Sequence, residues 1–300
     1  MSTEVRAAVL ARGFLRTAVS RGIRGLSWRD HSGRWRGLDV DVARAIAAAV
    51  LADPDAVDWV PVDPGDRLRA LAQGRVDTVT CNLTWTMGRE ATWPTLFAGV
   101  TCYDGEGFLV RADSAIAEPA DLAGHRVAVQ AGTTSTQNLA AWFGGRGLDV
   151  EVVAYPSAPA ALAGYAASEC AAYVLDRTAL AGERTRLPDP HAHRLLEQTI
   201  SREPMALAVG DADAQWFRLC RWVLQLLIAA EVDPDAAVHG GRHGPAIGLD
   251  EDWAARVLDA VGDYGDIYHR NLGDRSELRL PRGLNDLWHN GGLHFPLPLH

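Results

Sequence analysis

Short apolar runs alternate along this chain with alanine-rich stretches of helical period, and the alternation occurs twice. Val57–Val62 precedes a helix predicted over 66–73 and a second run, Val76–Thr80; Val127–Gln130 precedes a helix predicted over 135–144 and the run Val150–Ala154. Strand, helix and strand in that order predict parallel βα units and an α/β fold. In open α/β sheets, ligands sit beyond the carboxyl ends of the strands. Three polar segments fall there: Asn82–Arg89, Gly132–Thr134 and Asp176. The Gly/Pro/His-rich stretch Asp233–Pro245 reads as a flexible surface loop. The longest apolar run, Trp222–Ala230, is far too short to cross a bilayer, so no membrane insertion is expected.

Composition narrows the partners. At 300 residues and 48% hydrophobic content the chain can build a large core in one or two domains. Its net charge of -9 comes with no basic block, which argues against a nucleic-acid groove or an anionic membrane patch. All 29 cationic side chains are arginine. Without lysine there is no side-chain amine to form a Schiff base, which excludes a pyridoxal-phosphate enzyme or an amine-nucleophile aldolase. No Gly-x-Gly-x-x-Gly or phosphate-loop motif is present, so no cofactor is expected. His191, His193, His239 and His243 are flanked by prolines or glycines and read as solvated loop histidines, so no metal is expected either.

The three polar segments carry complementary chemistry. Arg89 can grip a carboxylate through two parallel N–H bonds. Gly132-Thr133-Thr134 leads from an apolar run into a helix predicted at Ser135, where backbone N–H groups and the helix dipole favour an anion. Asp176 closes the run Tyr173-Val-Leu and suits an ammonium group. Taken singly, each has a plainer reading: a solvated arginine, a helix cap, and an aspartate that starts a helix. Together they supply one reader for each end of a free α-amino acid.

In this order and spacing the chain resembles the amino-acid family of bacterial solute-binding proteins, the receptors of ABC importers, and in particular the general L-amino-acid-binding type. The resemblance runs almost end to end, through Gly37–Val42, Asp66-Arg67, Gly74–Asp77, Asn82–Arg89, Phe97–Thr101, Tyr103–Gly105, Gln130–Thr134, Ile200–Pro204, Asp213–Trp216, Gly248–Asp250 with Trp253, Val261–Gly265 and Arg282–Trp288. It implies a two-lobed, periplasmic-binding-protein-like (type II) α/β fold with an interdomain ligand cleft. Residues 1–105 plus 208–300 would form a discontinuous first lobe, and 106–207 an inserted second one, with crossings at Asp104–Val110 and Arg202–Ala208. It further implies that Arg89, Asn82, Thr84, Thr133 and Thr134 hold the ligand carboxylate and Asp176 its ammonium. Trp85 matches the family and Ile23 and Trp28 depart from it; these three and Arg67 are expected to shape the side-chain pocket, while Trp216, Trp222, Trp253 and Trp288 match helical core positions of the relatives.

One departure stands out. Relatives tend to carry glutamine between Gly105 and Gly107, where this chain has Glu106. A carboxylate in the first crossing strand, facing Glu203 from the second, is a candidate general acid or base, because two carboxylates in a dry site raise one pKa. Its plain counterpart is an exposed carboxylate with no chemistry.

Three functions remain open on the sequence. The N-terminal stretch from Met1 to Phe14 has no basic start followed by an unbroken apolar segment, so the expectation is a cytoplasmic location, with a periplasmic one if the N-terminus is trimmed. Cys81, Cys102, Cys170 and Cys220 show no paired spacing, in keeping with a reducing compartment. On that expectation the leading reading is a cofactor-independent enzyme acting on a tryptophan-like amino acid, for example Pictet-Spengler condensation with an aldehyde co-substrate. The alternatives are the binding component of an amino-acid ABC importer, with a permease partner if exported, and a cytoplasmic amino-acid sensor.

Overall fold

The computed structural model describes residues 4–131 and 135–300. The chain divides into two compact units, one made of the residues up to Tyr103 together with Pro204–His300, the other of Asp104–Glu203. The chain therefore changes units at Tyr103–Asp104 and returns at Glu203–Pro204. Each unit carries its own five-stranded mixed sheet.

In the first unit the strand order is Val57–Pro61, Leu15–Val19, Thr78–Val79, Glu203–Gly210 and Thr95–Asp104. The first three are parallel, as the βα reading expects, and Glu203–Gly210 runs antiparallel to Thr78–Val79. The run Val76–Thr80 shortens to two strand residues, yet its backbone pairs on either side, through Asp77 N–H to Arg16 and Thr80 N–H to Ala18. Helix Leu38–Leu51 is buried along nearly its whole length. Its alanines at 43, 45, 47, 48 and 49 leave room for neighbouring elements to approach closely, and all are buried. Trp216 and Trp253 are fully buried core residues, each contributing about 1.5–3 kcal/mol or more of apolar burial.

In the second unit the order is His193–Leu195, Glu106–Arg111, Ala172–Asp176, Arg126–Gln130 and Glu151–Tyr155. Glu106–Arg111 is antiparallel to Ala172–Asp176, with Glu106 directly opposite Asp176. Arg126–Gln130 runs parallel to both Ala172–Asp176 and Glu151–Tyr155. The period of two sorts side chains between faces. Phe108, Val110 and Val174 pack with Leu139 and Phe143 of helix Ser135–Gly144, whereas Leu109 and Tyr173 pack with Ala161 and Tyr165 on the opposite side. Glu106 and Asp176, at even positions, belong to the face of helix Ser135–Gly144.

Two expectations fail. Asp233–Pro245 is not a flexible loop: it holds helix Ala236–His243 and a following 3-10 turn. Its glycines serve close packing rather than mobility. A Cβ at Gly241 would lie 2.3 Å from the Glu251 carbonyl oxygen, and one at Gly244 2.4 Å from that of Asp250. The Gly240 carbonyl accepts from the Trp253 indole at 3.0 Å. Trp288 is not a core residue: it is 44% exposed on a 3-10 turn and packs against Phe295 and His289.

Candidate functional site

In the first unit, the segment after strand Thr78–Val79 is pinned at Asn82. Its N–H donates to Asp39 Oδ2 at 3.2 Å, and its side-chain Oδ1 accepts from Ser20 Oγ at 2.5 Å and from Arg67 Nη2 at 2.9 Å. Arg67 Nη1 also donates to the Asn82 carbonyl at 2.9 Å. Arg67 was expected in the side-chain pocket. At 4% exposure it is instead an internal clamp, turned inward because the Asn82 carbonyl and Oδ1 need donors. Asp39 lies at the start of helix Leu38–Leu51, and burial pushes its carboxyl up to about 7 against the opposing pull of the Asn82 N–H and Arg67. With both bonds to Oδ1 supplied from within, Asn82 is left its Nδ2 hydrogens for an outside acceptor.

Two residues on, Thr84 bridges to Met205, and its carbonyl accepts from Arg89 Nη1. Arg89 sits on the short helix Met87–Thr92, whose start is capped by the Thr86 hydroxyl accepting from the Arg89 N–H at 3.2 Å. Trp85 stacks on Phe97 at 5.3 Å between centroids, and its indole N–H donates to Glu90 Oε2 at 2.9 Å. Together with Met87, Glu90, Ala91 and Pro204 it lines a cavity of about 550 Å³. Thr84, Trp85 and Arg89 thus lie together. Ile23 and Trp28 belong to a neighbouring turn: Ile23 bridges to Ser27, and the half-buried Trp28 lies under the Arg24 guanidinium at 4.5 Å. That turn requires Gly37, at φ +129°, since a Cβ there would meet the Leu26 carbonyl oxygen at 2.0 Å.

In the second unit, Asp176 ends its strand and stands in the N-cap position of helix Arg177–Arg184, yet its side chain makes no capping bond. Asp104 does the capping, its Oδ2 accepting from the Thr178 N–H at 3.1 Å and from the Thr178 hydroxyl. Burial raises the Asp104 carboxyl to about 7; the Gly105 and Thr178 N–H groups and Arg177 pull the other way, while Glu203 adds to the rise. Glu106, only 3% exposed, accepts from the Ser135 hydroxyl through Oε1. Burial raises its pKa, against the opposing pull of Ser135 and Asn138 and with a further push from Glu203. The link to Glu203 is a serine: the Glu106 N–H donates to Ser201 Oγ at 3.0 Å, and that hydroxyl donates to Glu203 Oε1 at 2.9 Å. Glu106 is therefore a buried carboxyl rather than an exposed one. Thr133 and Thr134 lie outside the described residues; helix Ser135–Gly144 begins where the sequence placed it.

Sequence reasoning passed over Ser20, Asp39, Asp104, Ser135 and Ser201 as working parts. Asp39 and Asp104 stand inside motifs that carried the resemblance, but nothing local distinguishes them from surface aspartates. Their roles come from contacts made far along the chain. Among the described residues no group of three or more His, Cys, Asp or Glu has the arrangement of a metal site. His239 pairs with Asp233 at 2.8 Å and His193 with the Tyr165 hydroxyl at 2.6 Å.

Residues 15–271 match the model of the bacterial extracellular solute-binding proteins, family 3. The chain belongs to this family. Among solute-binding relatives, it is 37% identical to the general L-amino acid-binding periplasmic protein AapJ of Rhizobium johnstonii, over 97% of this chain and 91% of that protein. It is 34% identical, at the same coverage, to the glutamate/glutamine/aspartate/asparagine-binding protein BztA of Rhodobacter capsulatus. Among solved structures, a periplasmic binding protein from Brucella ovis with glutathione bound superposes with a TM-score of 0.92 at 34% identity, covering 99% of this chain and 100% of that one. The two-lobed α/β architecture of this solute-binding family is what the two units and their sheets display. No helix among the described residues is long and apolar enough to cross a membrane.

Proposed function

We propose that this protein is the substrate-binding component of an amino-acid ABC importer, capturing a solute by its free α-amino-acid head group outside the cytoplasmic membrane and delivering it to a permease. The observation that carries this reading is the near end-to-end relationship to a general L-amino-acid-binding protein, 37% identical over 97% of the chain. The site residues agree with it. Arg89 offers a guanidinium to a carboxylate, and the orientation of Asn82 leaves it a donor, suited to the same anion. Asp176, at the N-cap position of a helix that Asp104 caps, supplies a carboxylate that suits the ammonium. Glutathione, the ligand of the Brucella protein, also carries such a head group.

The relatives named above are binding proteins, which favours the receptor over a Pictet-Spengler enzyme; nothing in them speaks for an aldehyde co-substrate. A screen of the purified protein against the common amino acids by thermal shift tests the proposal. Stabilisation by one or more of them supports it, and stabilisation by none overturns it.

A further inference from the structure

Resting on that reading, we infer that Glu106 forms, with Asp176, a two-carboxylate subsite that selects solutes carrying a second cationic group, such as dibasic amino acids, over solutes with an acidic side chain. Register brings the two carboxyls together. Glu106 and Asp176 are directly opposed across an antiparallel pair and share the face of helix Ser135–Gly144. Opposed residues in such a pair have Cβ atoms about 5 Å apart, and like charges so placed repel. The fold nevertheless builds a carboxyl into that position and buries it: Glu106 is 3% exposed. Its Oε1 accepts from Ser135 and Asn138 acts on the same carboxyl, while Oε2, closed off from water, meets no donor in hydrogen-bond geometry among the described residues. A buried acceptor without a donor is a standing cost, relieved only by a proton or by a donor that arrives with a ligand.

The charged groups around it make the second route specific. Glu203 lies one serine away, Asp176 sits opposite, and Asp104 caps the adjoining helix, where Arg177 is the cation that acts on Asp104. A subsite of this sign attracts a cation and repels a carboxylate, the two halves of specificity. An ammonium held at Asp176 would lie within a side chain's length of Glu106, and a solute with two cationic groups can answer both carboxylates. The raised pKa of Glu106 adds a signature: its proton and the ligand cation compete for one oxygen, so cation affinity should rise with pH as Glu106 ionises.

The test is calorimetric titration of the wild type and Glu106→Gln with L-ornithine, L-glutamine and L-glutamate at mildly acidic, neutral and mildly alkaline pH. The glutamine variant keeps the shape and an oxygen for Ser135 while removing the charge. Wild type should prefer L-ornithine to L-glutamate by about tenfold or more, with L-ornithine affinity rising with pH; Glu106→Gln should narrow the preference about tenfold and flatten the pH profile. Wild type that binds L-glutamate as tightly as L-ornithine, or a variant with unchanged preference, overturns the inference while leaving the amino-acid reading intact. Wild type that binds no amino acid overturns both. Should the variant not fold, the wild-type profile decides alone, since an L-ornithine affinity independent of pH contradicts the proposal.

Discussion

The Thr178 backbone N–H donates to Oδ2 of Asp104 at 3.1 Å across a sequence separation of 74 residues. The helix that begins after Asp176 is thus capped by the residue at which the chain enters the second unit, and not by the aspartate that precedes it. Capping by Asp104 and binding by Asp176 are separable functions, and mutations should separate them. Asp104→Ala should lower stability by about 1 kcal/mol, the usual cost of losing a cap, and Asp104→Asn should recover most of it because asparagine caps equally well. Thermal unfolding of the two variants checks this; equal losses would show that the charge, not the cap, matters.

Asp176→Ala should leave that cap intact and act on ligand affinity instead. Removing one partner of a buried charge pair costs about 2 to 5 kcal/mol, so Asp176→Ala and Arg89→Ala should each weaken amino-acid binding more than tenfold with little change in thermal stability. Normal affinity of either variant in calorimetry would refute its assigned role.

Asp39 should make stability depend on pH. Its carboxyl is raised from 3.8 to about 7 in the folded chain, so between those values the native state holds a proton that the unfolded state has released. Its contribution is therefore fully present below the unfolded value and is lost as pH rises toward 7. Asp39→Asn, which can still accept from the Asn82 N–H, should gain stability relative to wild type as pH rises through that window. A constant difference between the two proteins across the window would mean that Asp39 does not titrate there.

Gly241→Ala distinguishes packed helix from loose loop over 236–243. A Cβ placed 2.3 Å from the Glu251 carbonyl forces the backbone apart, and overpacking of this kind costs about 1 to 3 kcal/mol. In a mobile loop the same change would be neutral or slightly stabilising. A drop in the unfolding midpoint therefore supports the packed helix, and an unchanged midpoint speaks against it.

The sequence announced much of this and concealed the rest for identifiable reasons. The alternation of apolar runs with alanine-rich stretches places the starts of strands Val57–Pro61, Arg126–Gln130 and Glu151–Tyr155 to within one residue, and the helix starting at Ser135, because period and burial agree there. The segment Asp233–Pro245 misled because glycine is a breaker by local propensity, while here contact with Trp253 and Glu251 makes small residues a requirement. Arg67 stands in the Asp66-Arg67 segment that carries the resemblance, and nothing local to that segment shows that its guanidinium turns inward to Asn82. Only the fold shows that the Asn82 carbonyl and Oδ1 take their donors from Arg67. Glu106 was visible as a departure from the glutamine of its relatives, but its burial and its register with Asp176 depend on strand pairing across 70 residues of chain.

Thermal unfolding of the purified wild type and Arg89→Ala in the presence of each common amino acid measures amino-acid capture most directly. A ligand at a hundred times its dissociation constant should add about 2.7 kcal/mol to the stability of the wild type. At least one amino acid should give such stabilisation, and Arg89→Ala should lose it. A wild type stabilised by none of them, or an Arg89→Ala variant stabilised as strongly as the wild type, would contradict amino-acid capture through Arg89.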